Sequence, residues 1–251
     1  MLSEPERSTE ATLHEIFQVL SSSPLAAQDG SPALTAPPLP TGVSADAESA
    51  CAVCCLVRRS VARSLRAFFA EFVNDPQARE KLRRARGFCA EHTALLATLG
   101  DALAVAILYS DLARLTRERW QEGFAGKASG GRKGLRLDWR REATLPCPAC
   151  QDAQEAEARY GSALAVGLRD ERVWKALEAG CGLCVAHVEQ VLARALPAHA
   201  ARLRQLEAGK LAALEAELDE IVRKNDYRFR GEAWGAERDA WLRALQKITR
   251  P

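Results

Sequence analysis

The residues with chemistry in them are eight cysteines and four histidines in a chain of 251. Most fall into four short pairs. Cys51-x2-Cys54 and Cys147-x2-Cys150 each join two thiols. Gly87-Phe88-Cys89-x2-His92 and Gly182-Leu183-Cys184-x2-His187 each join a thiol to an imidazole. Residues three apart lie on one face of a helical turn, so each pair can aim two donors at one ion. A thiol pair combined with a thiol–imidazole pair makes a closed Cys3His set, which suits structural zinc. One His among three Cys is less usual for iron–sulfur ligation, which stands as the alternative.

The pairs recur in the same order. Cys54 to Cys89 is 35 positions and Cys150 to Cys184 is 34; Asp75 follows Cys51 by 24 positions and Asp170 follows Cys147 by 23. One missing residue in the second copy accounts for both differences, so the chain carries an internal repeat. Taken copy by copy, site one is expected to use Cys51, Cys54, Cys89 and His92. Site two is expected to use Cys147, Cys150, Cys184 and His187. Two zinc ions are expected in all. Cys55 and Cys181 have no counterpart in the other copy and read as buried thiols, though either can stand in for a ligand. Arg58 and Arg59 follow Cys54 closely, whereas Asp152 and Glu155 follow Cys150. Site two is therefore expected to hold the more electron-rich thiolates and to lose its ion first under mild peroxide, with Cys181 as a resolving thiol.

Helices must position these donors. Alanine is abundant and β-branched residues are sparse from Cys51 onward, which favours an all-α fold of two duplicated helical modules followed by C-terminal helices. Leu13, Ile16, Phe17 and Leu20 repeat at helical spacing and predict a short helix within residues 1–20 that docks on the body. The Pro- and Ser-rich stretch 21–50 reads as a flexible linker. Module one spans 51–120, with Asp75-Pro76 as a capped helix start and Val57, Val61, Leu65, Phe68, Phe69 and Phe72 as an apolar stripe. A basic, Gly-rich connection covers 121–143. Module two spans 144–223 and ends in a long helix with Leu203, Leu206, Leu214, Leu218, Ile221 and Val222 on its apolar face. Residues 224–251 form an aromatic and Arg-rich junction and a last helix. There Glu232 and Glu237 are expected to pair with Arg228 and Arg238.

Several function classes are disfavoured. Lys plus Arg is 35 and Asp plus Glu is 33, a formal charge of only +2. That balance speaks against a general nucleic-acid binder, although the 127–141 basic run with Arg58, Arg59, Arg63 and Arg66 keeps the class open. No apolar run reaches the ~18 residues of a membrane span. Acidic residues at 4, 6 and 10 do not suit a secretory signal, so a cytoplasmic protein is expected. Cys147-Pro148-Ala149-Cys150 lacks the βαβ setting of a thioredoxin-like redox pair, and there is no phosphate-binding loop or haem attachment motif. His14 and His199 read as helix-side residues. A zinc–thiolate redox switch is the enzyme-like alternative. A closed Cys3His set keeps no open position for water, so binding, to a protein partner, is the leading expectation, with no catalytic residue assigned.

The duplicated pairs, together with Lys224-Asn225-Asp226-Tyr227-Arg228-Phe229, resemble a bacterial domain family of unknown function over about residues 50–250. The resemblance puts the family's paired motifs on Cys51, Cys54, Cys89 and His92 and on Cys147, Cys150, Cys184 and His187. It puts the tail motif on Asp226, Tyr227 and Arg228, with Trp241 after it, as binding residues. It implies the helical fold and the metal sites, and no activity. The long Pro- and Ser-rich start and the extra Cys55 and Cys181 depart from the family's pattern.

Overall fold

The computed structural model describes residues 4–21, 51–99, 101–128, 145–229 and 231–248. Those residues form ten α-helices and no strand. The helices are α1 (Glu4–Ser21), α2 (Ala52–Ala67), α3 (Pro76–Ala85), α4 (Ala90–Leu99), α5 (Ala102–Ala128), α6 (Pro148–Gly167), α7 (Glu171–Ala179), α8 (Val185–Leu192), α9 (Pro197–Lys224) and α10 (Ala240–Ile248). None of them is long and apolar enough to cross a membrane. The linker expected at 21–50 lies, beyond Ser21 at the end of α1, outside the described residues, as does most of the basic connection; α5 takes up the first residues of the latter.

The repeat is visible helix by helix: α2 to α5 correspond in order to α6 to α9. Asp75 caps α3 by accepting from Ala78 N at 2.7 Å, with Pro76 as the first helical residue. Asp170 caps α7 by accepting from Arg172 N at 2.8 Å. Each cap satisfies a donor the helix start would otherwise leave open.

The one-residue difference between the copies has a structural home. From Ala52 to Pro148 is 96 positions, and from Ala90 to Val185 is 95. Between those landmarks the first copy carries a π-helical turn, Phe68–Phe72, directly after α2. A π-helical turn is wider than an α-helical one and takes in an extra residue without unwinding the helix. The stripe expected over Phe68, Phe69 and Phe72 is therefore bent at its end. Phe69 is buried, Phe72 is 45% exposed, and Phe68 meets Phe88 edge to face at 6.1 Å.

The described residues group into two compact units that interleave the copies. One contains α1, residues 51–58 and the chain from Ala156 to the end; the other contains residues 59–155. The first has a core of Ile16, Tyr160, Leu164, Leu168, Trp174, Leu177, Leu183 and Leu203. Two of its largest polar side chains are satisfied internally: Trp174 Nε1 donates to Leu168 O at 2.7 Å, and Tyr160 donates to Glu15 at 2.8 Å. Ile16 is fully buried, so α1 belongs to this core, as its periodicity predicts. The second unit buries Val61, Leu65, Phe69, Leu82, Leu96 and Leu108. There Asp111 on α5 receives Arg83 at 2.6 Å and Arg114 at 2.8 Å.

Candidate metal centres

Each cysteine–histidine or cysteine–cysteine pair opens a helix. Cys51, Cys89, Cys147 and Cys184 stand immediately before α2, α4, α6 and α8. Their carbonyls accept the first helical bonds, from Cys55 N at 3.0 Å, Thr93 N at 2.8 Å, Gln151 N at 3.3 Å and Val188 N at 2.9 Å. The second donor of each pair, Cys54, His92, Cys150 or His187, is then the third residue of its helix. A helix start carries partial positive charge, which favours thiolate over thiol.

The turns that feed the thiol–imidazole pairs require glycine. Gly87 has φ +99° and Gly182 has φ +78°, in the left-handed region that side chains resist. Gly182 has a second constraint, since a Cβ there would lie 2.5 Å from Glu207 Oε1.

Two clusters result. Cys51, Cys54, Cys184 and His187 form one; Cys89, His92, Cys147 and Cys150 form the other. Within each, the four donor atoms lie within 4.8 Å of one another. In the first cluster His187 Nδ1 is 3.0 Å from Cys184 Sγ, 3.3 Å from Cys54 Sγ and 3.4 Å from Cys51 Sγ, and Cys54 Sγ is 3.7 Å from Cys184 Sγ. In the second, His92 Nδ1 is 3.1 Å from Cys89 Sγ, 3.4 Å from Cys150 Sγ and 3.8 Å from Cys147 Sγ, and Cys89 Sγ is 3.7 Å from Cys150 Sγ. All eight cysteines are free thiols.

This pairing corrects the copy-by-copy expectation. The thiol pair of each copy meets the thiol–imidazole pair of the other. Helix length is the reason. After Cys51 and Cys54 the chain leaves along the 16 residues of α2 and the five of the π-helical turn, a rise of roughly 30 Å. The ten residues of α3 rise only about half of that before the short turn to Cys89. The mismatch in helix length works against a copy closing its own site, and each thiol pair gathers instead with the thiol–imidazole pair of the other copy. Cys55 and Cys181 are half-buried and belong to neither cluster.

Burial and the neighbouring sulfurs shift the protonation of the donors. Burial, together with hydrogen bonding to Cys184 and Cys54, holds the Cys51 thiol well above its ordinary range. Cys184 is drawn well below that range by hydrogen bonds from Cys51 and Cys54. His187 is opposed by burial but carried up to about 10 by its bonds to Cys184 and Cys54. In the second cluster Cys150 is pushed up to about 12 by desolvation and by Cys89 and Cys147. In the first cluster one thiol thus ionises at the expense of another, and in the second Cys150 is held protonated by its neighbours. A divalent cation removes that conflict by taking all three thiolates at once.

A carboxylate not anticipated from the sequence stands behind the first cluster. Glu157 Oε1 on α6 lies 3.2 Å from His187 Nε2, the ring nitrogen turned away from the sulfurs. The loop entering the same pair is clamped from α9 and α10. Leu183 N donates to Glu207 at 2.8 Å, and Lys247 donates to Glu207 at 2.7 Å, Leu183 O at 2.9 Å and Cys181 O at 3.1 Å. Lys210 donates to Gly180 O at 2.5 Å and Glu178 O at 3.0 Å. No linear spacing marks these residues, since each acts across the fold.

A family model described as a family of unknown function, DUF6062, matches residues 38–251. The chain belongs to that family. This DUF6062 chain is also 29% identical, over 183 residues, to an uncharacterised 23.9 kDa protein in the xynA 3' region of Caldicellulosiruptor sp. (strain Rt8B.4); the match covers 72% of this chain and 85% of that protein. No solved structure matches it. The bacterial family of unknown function expected from the paired motifs is thereby found.

The expected tail site is less convergent in this DUF6062 member. Arg228 turns back on Asp226, with its N at 3.0 Å and a guanidinium nitrogen at 2.7 Å. Tyr227 is 82% exposed and Trp241 is 43% exposed. Among the described residues no hydrogen bond, ion pair or ring contact joins Trp241 to those three. The ion pairs also differ from expectation: Glu232 takes Arg223, and Glu237 takes Lys224 at 2.6 Å. Arg223 and Lys224 end α9 facing the segment that carries both glutamates, whereas Arg228 is engaged by Asp226. His14 is exposed beside Gln18, and His199 lies near Trp174 with ring centroids 6.3 Å apart.

Proposed function

We propose that this protein is a zinc-stapled helical interaction protein, with one Zn2+ held by Cys51, Cys54, Cys184 and His187 and another by Cys89, His92, Cys147 and Cys150. The observation that carries the reading is the donor spacing. Zinc bonds of about 2.3 Å to sulfur and about 2.0 Å to nitrogen, at tetrahedral angles, put sulfurs about 3.8 Å apart and sulfur and nitrogen about 3.5 Å apart. One sulfur pair in each cluster, Cys54 with Cys184 and Cys89 with Cys150, is 3.7 Å apart, and the sulfur–nitrogen distances run from 3.0 to 3.8 Å. Four donors within 4.8 Å of one another leave room for one ion and none for a multi-iron cluster. Four protein donors fill the coordination sphere, so the metal supplies structure and no open position for a substrate. Three thiolates against a divalent ion leave one negative charge per centre, which the two converging helix starts offset. Reduced zinc thiolates suit a reducing compartment, and we place the protein in the cytoplasm.

The interaction role rests on the exposed C-terminal aromatic and apolar side chains, Tyr227, Trp241 and Leu245. A partner is expected to be a protein. A photo-crosslinker at position 227 should yield a defined protein adduct in cells, whereas one at exposed Glu215 should not. For the metal, element-resolved mass measurement of the purified full chain should find two zinc ions per chain. Iron with visible absorbance, or a metal-free protein that takes up no zinc, overturns the assignment.

A further inference from the structure

The two clusters are built from the same donors but in different surroundings. In the first, Cys51, Cys184 and His187 are at most 2% exposed, and only Cys54 is half-buried. In the second, all three cysteines are half-buried and His92 is 7% exposed. A thiolate reachable from solvent can be taken over by an incoming thiol or chelator, whereas a buried one is released only when the fold opens.

The surrounding bonds differ in the same direction. Glu157 Oε1 lies 3.2 Å from the outer nitrogen of His187, within ion-pair reach but not aligned as a hydrogen bond; a carboxylate that closes that bond fixes ring orientation and strengthens the inner nitrogen as a donor. The loop carrying Gly182 and Cys184 has backbone groups of Glu178, Gly180, Cys181 and Leu183 held by Glu207, Lys210 and Lys247. The corresponding turn of the first copy is held more locally, by Gly87 N to Leu82 O at 2.9 Å and Thr93 Oγ1 to Phe88 O at 3.4 Å.

Resting on the zinc reading, we propose that the centres have different roles. The Cys51/Cys54/Cys184/His187 centre, with Glu157 as positioning residue, holds its ion permanently. The Cys89/His92/Cys147/Cys150 centre exchanges its ion with thiol or chelating ligands from solution. The second unit thereby gains stability only while free zinc is available, which makes it the zinc-responsive part of the molecule.

Zinc release from the full, two-zinc protein to excess 4-(2-pyridylazo)resorcinol tests this. Release should be biphasic, one ion per phase, with rates at least about tenfold apart. Maleimide labelling during the fast phase, mapped by peptide mass, should mark Cys89, Cys147 and Cys150 and spare Cys51 and Cys184. Glu157→Gln should accelerate the slow phase about tenfold and leave the fast phase unchanged, with Glu157→Asp restoring most of the difference. Release of both ions in one phase, or early labelling of Cys51 and Cys184, overturns the inference while leaving the zinc reading intact. An unchanged slow phase in Glu157→Gln removes the positioning role. A protein that binds no zinc overturns the reading beneath both.

Discussion

A methyl group at residue 182 would stand 2.5 Å from one oxygen of a buried carboxylate that also receives Lys247. Gly182→Ala must therefore strain the backbone and displace Glu207 together. It should cost about 3 kcal/mol, read from urea unfolding of the zinc-loaded chain. At Gly87 the nearest obstacle is Leu112 Cδ1 at 3.3 Å, the end of a flexible side chain. Gly87→Ala should cost only the left-handed backbone strain, about 1–2 kcal/mol. Another test at this scale concerns Glu237. The Gly235 backbone N–H at 2.8 Å, and then Lys224, hold its carboxyl down to about 2. Its folded pKa is below the unfolded value of about 4.3, so its contribution is full above that pH and is lost as pH falls toward 2. Urea midpoints at pH 5 and pH 3 should differ less in Glu237→Gln than in the wild type.

The repeat makes a prediction about elements. The extra residue of the first copy sits in the π-helical turn Phe68–Phe72, which is wide because it has one residue too many for an α-helical path. Deleting Ala70 should convert the turn to α-helix, keep the phase of α3 and α4, and leave the melting temperature within a few degrees of wild type. Deleting the buried Ala163 from α6 should rotate everything after it by about 100° relative to the core. That variant should lose cooperative unfolding by circular dichroism. Equal tolerance of the two deletions would separate the π-helical turn from the length difference.

At the scale of the molecule, the two clusters join segments distant in sequence. Cys51 and His187 are 136 positions apart, and Cys89 and Cys150 are 61 apart. Closing loops of that length costs chain entropy that a bound ion offsets. Chelation of both ions should therefore lower the melting temperature by more than about 10 °C, with recovery on adding zinc back. A protein whose melting is unmoved by chelator would hold its two clusters together by packing alone.

The cysteine spacings and the Gly-x-Cys-x2-His pairs by themselves determined that the chain is duplicated and which eight residues gather into clusters. They did so because each pair needs only one helical turn, whose geometry is local. Asp75, Asp170, the length of α9 and the burial of Ile16 were legible for the same reason, as capping and periodicity are properties of neighbours in sequence. Which pair meets which was decided by tertiary structure. Donor types allow either pairing, and the mismatched lengths of α2 with its π-helical turn and of α3 work against a copy closing on itself. Glu157, Glu207 and Lys247 were illegible for a related reason. Each is an ordinary helix-side charge until folding brings it against a ring nitrogen or a loop from elsewhere in the chain, and no sequence interval encodes that approach.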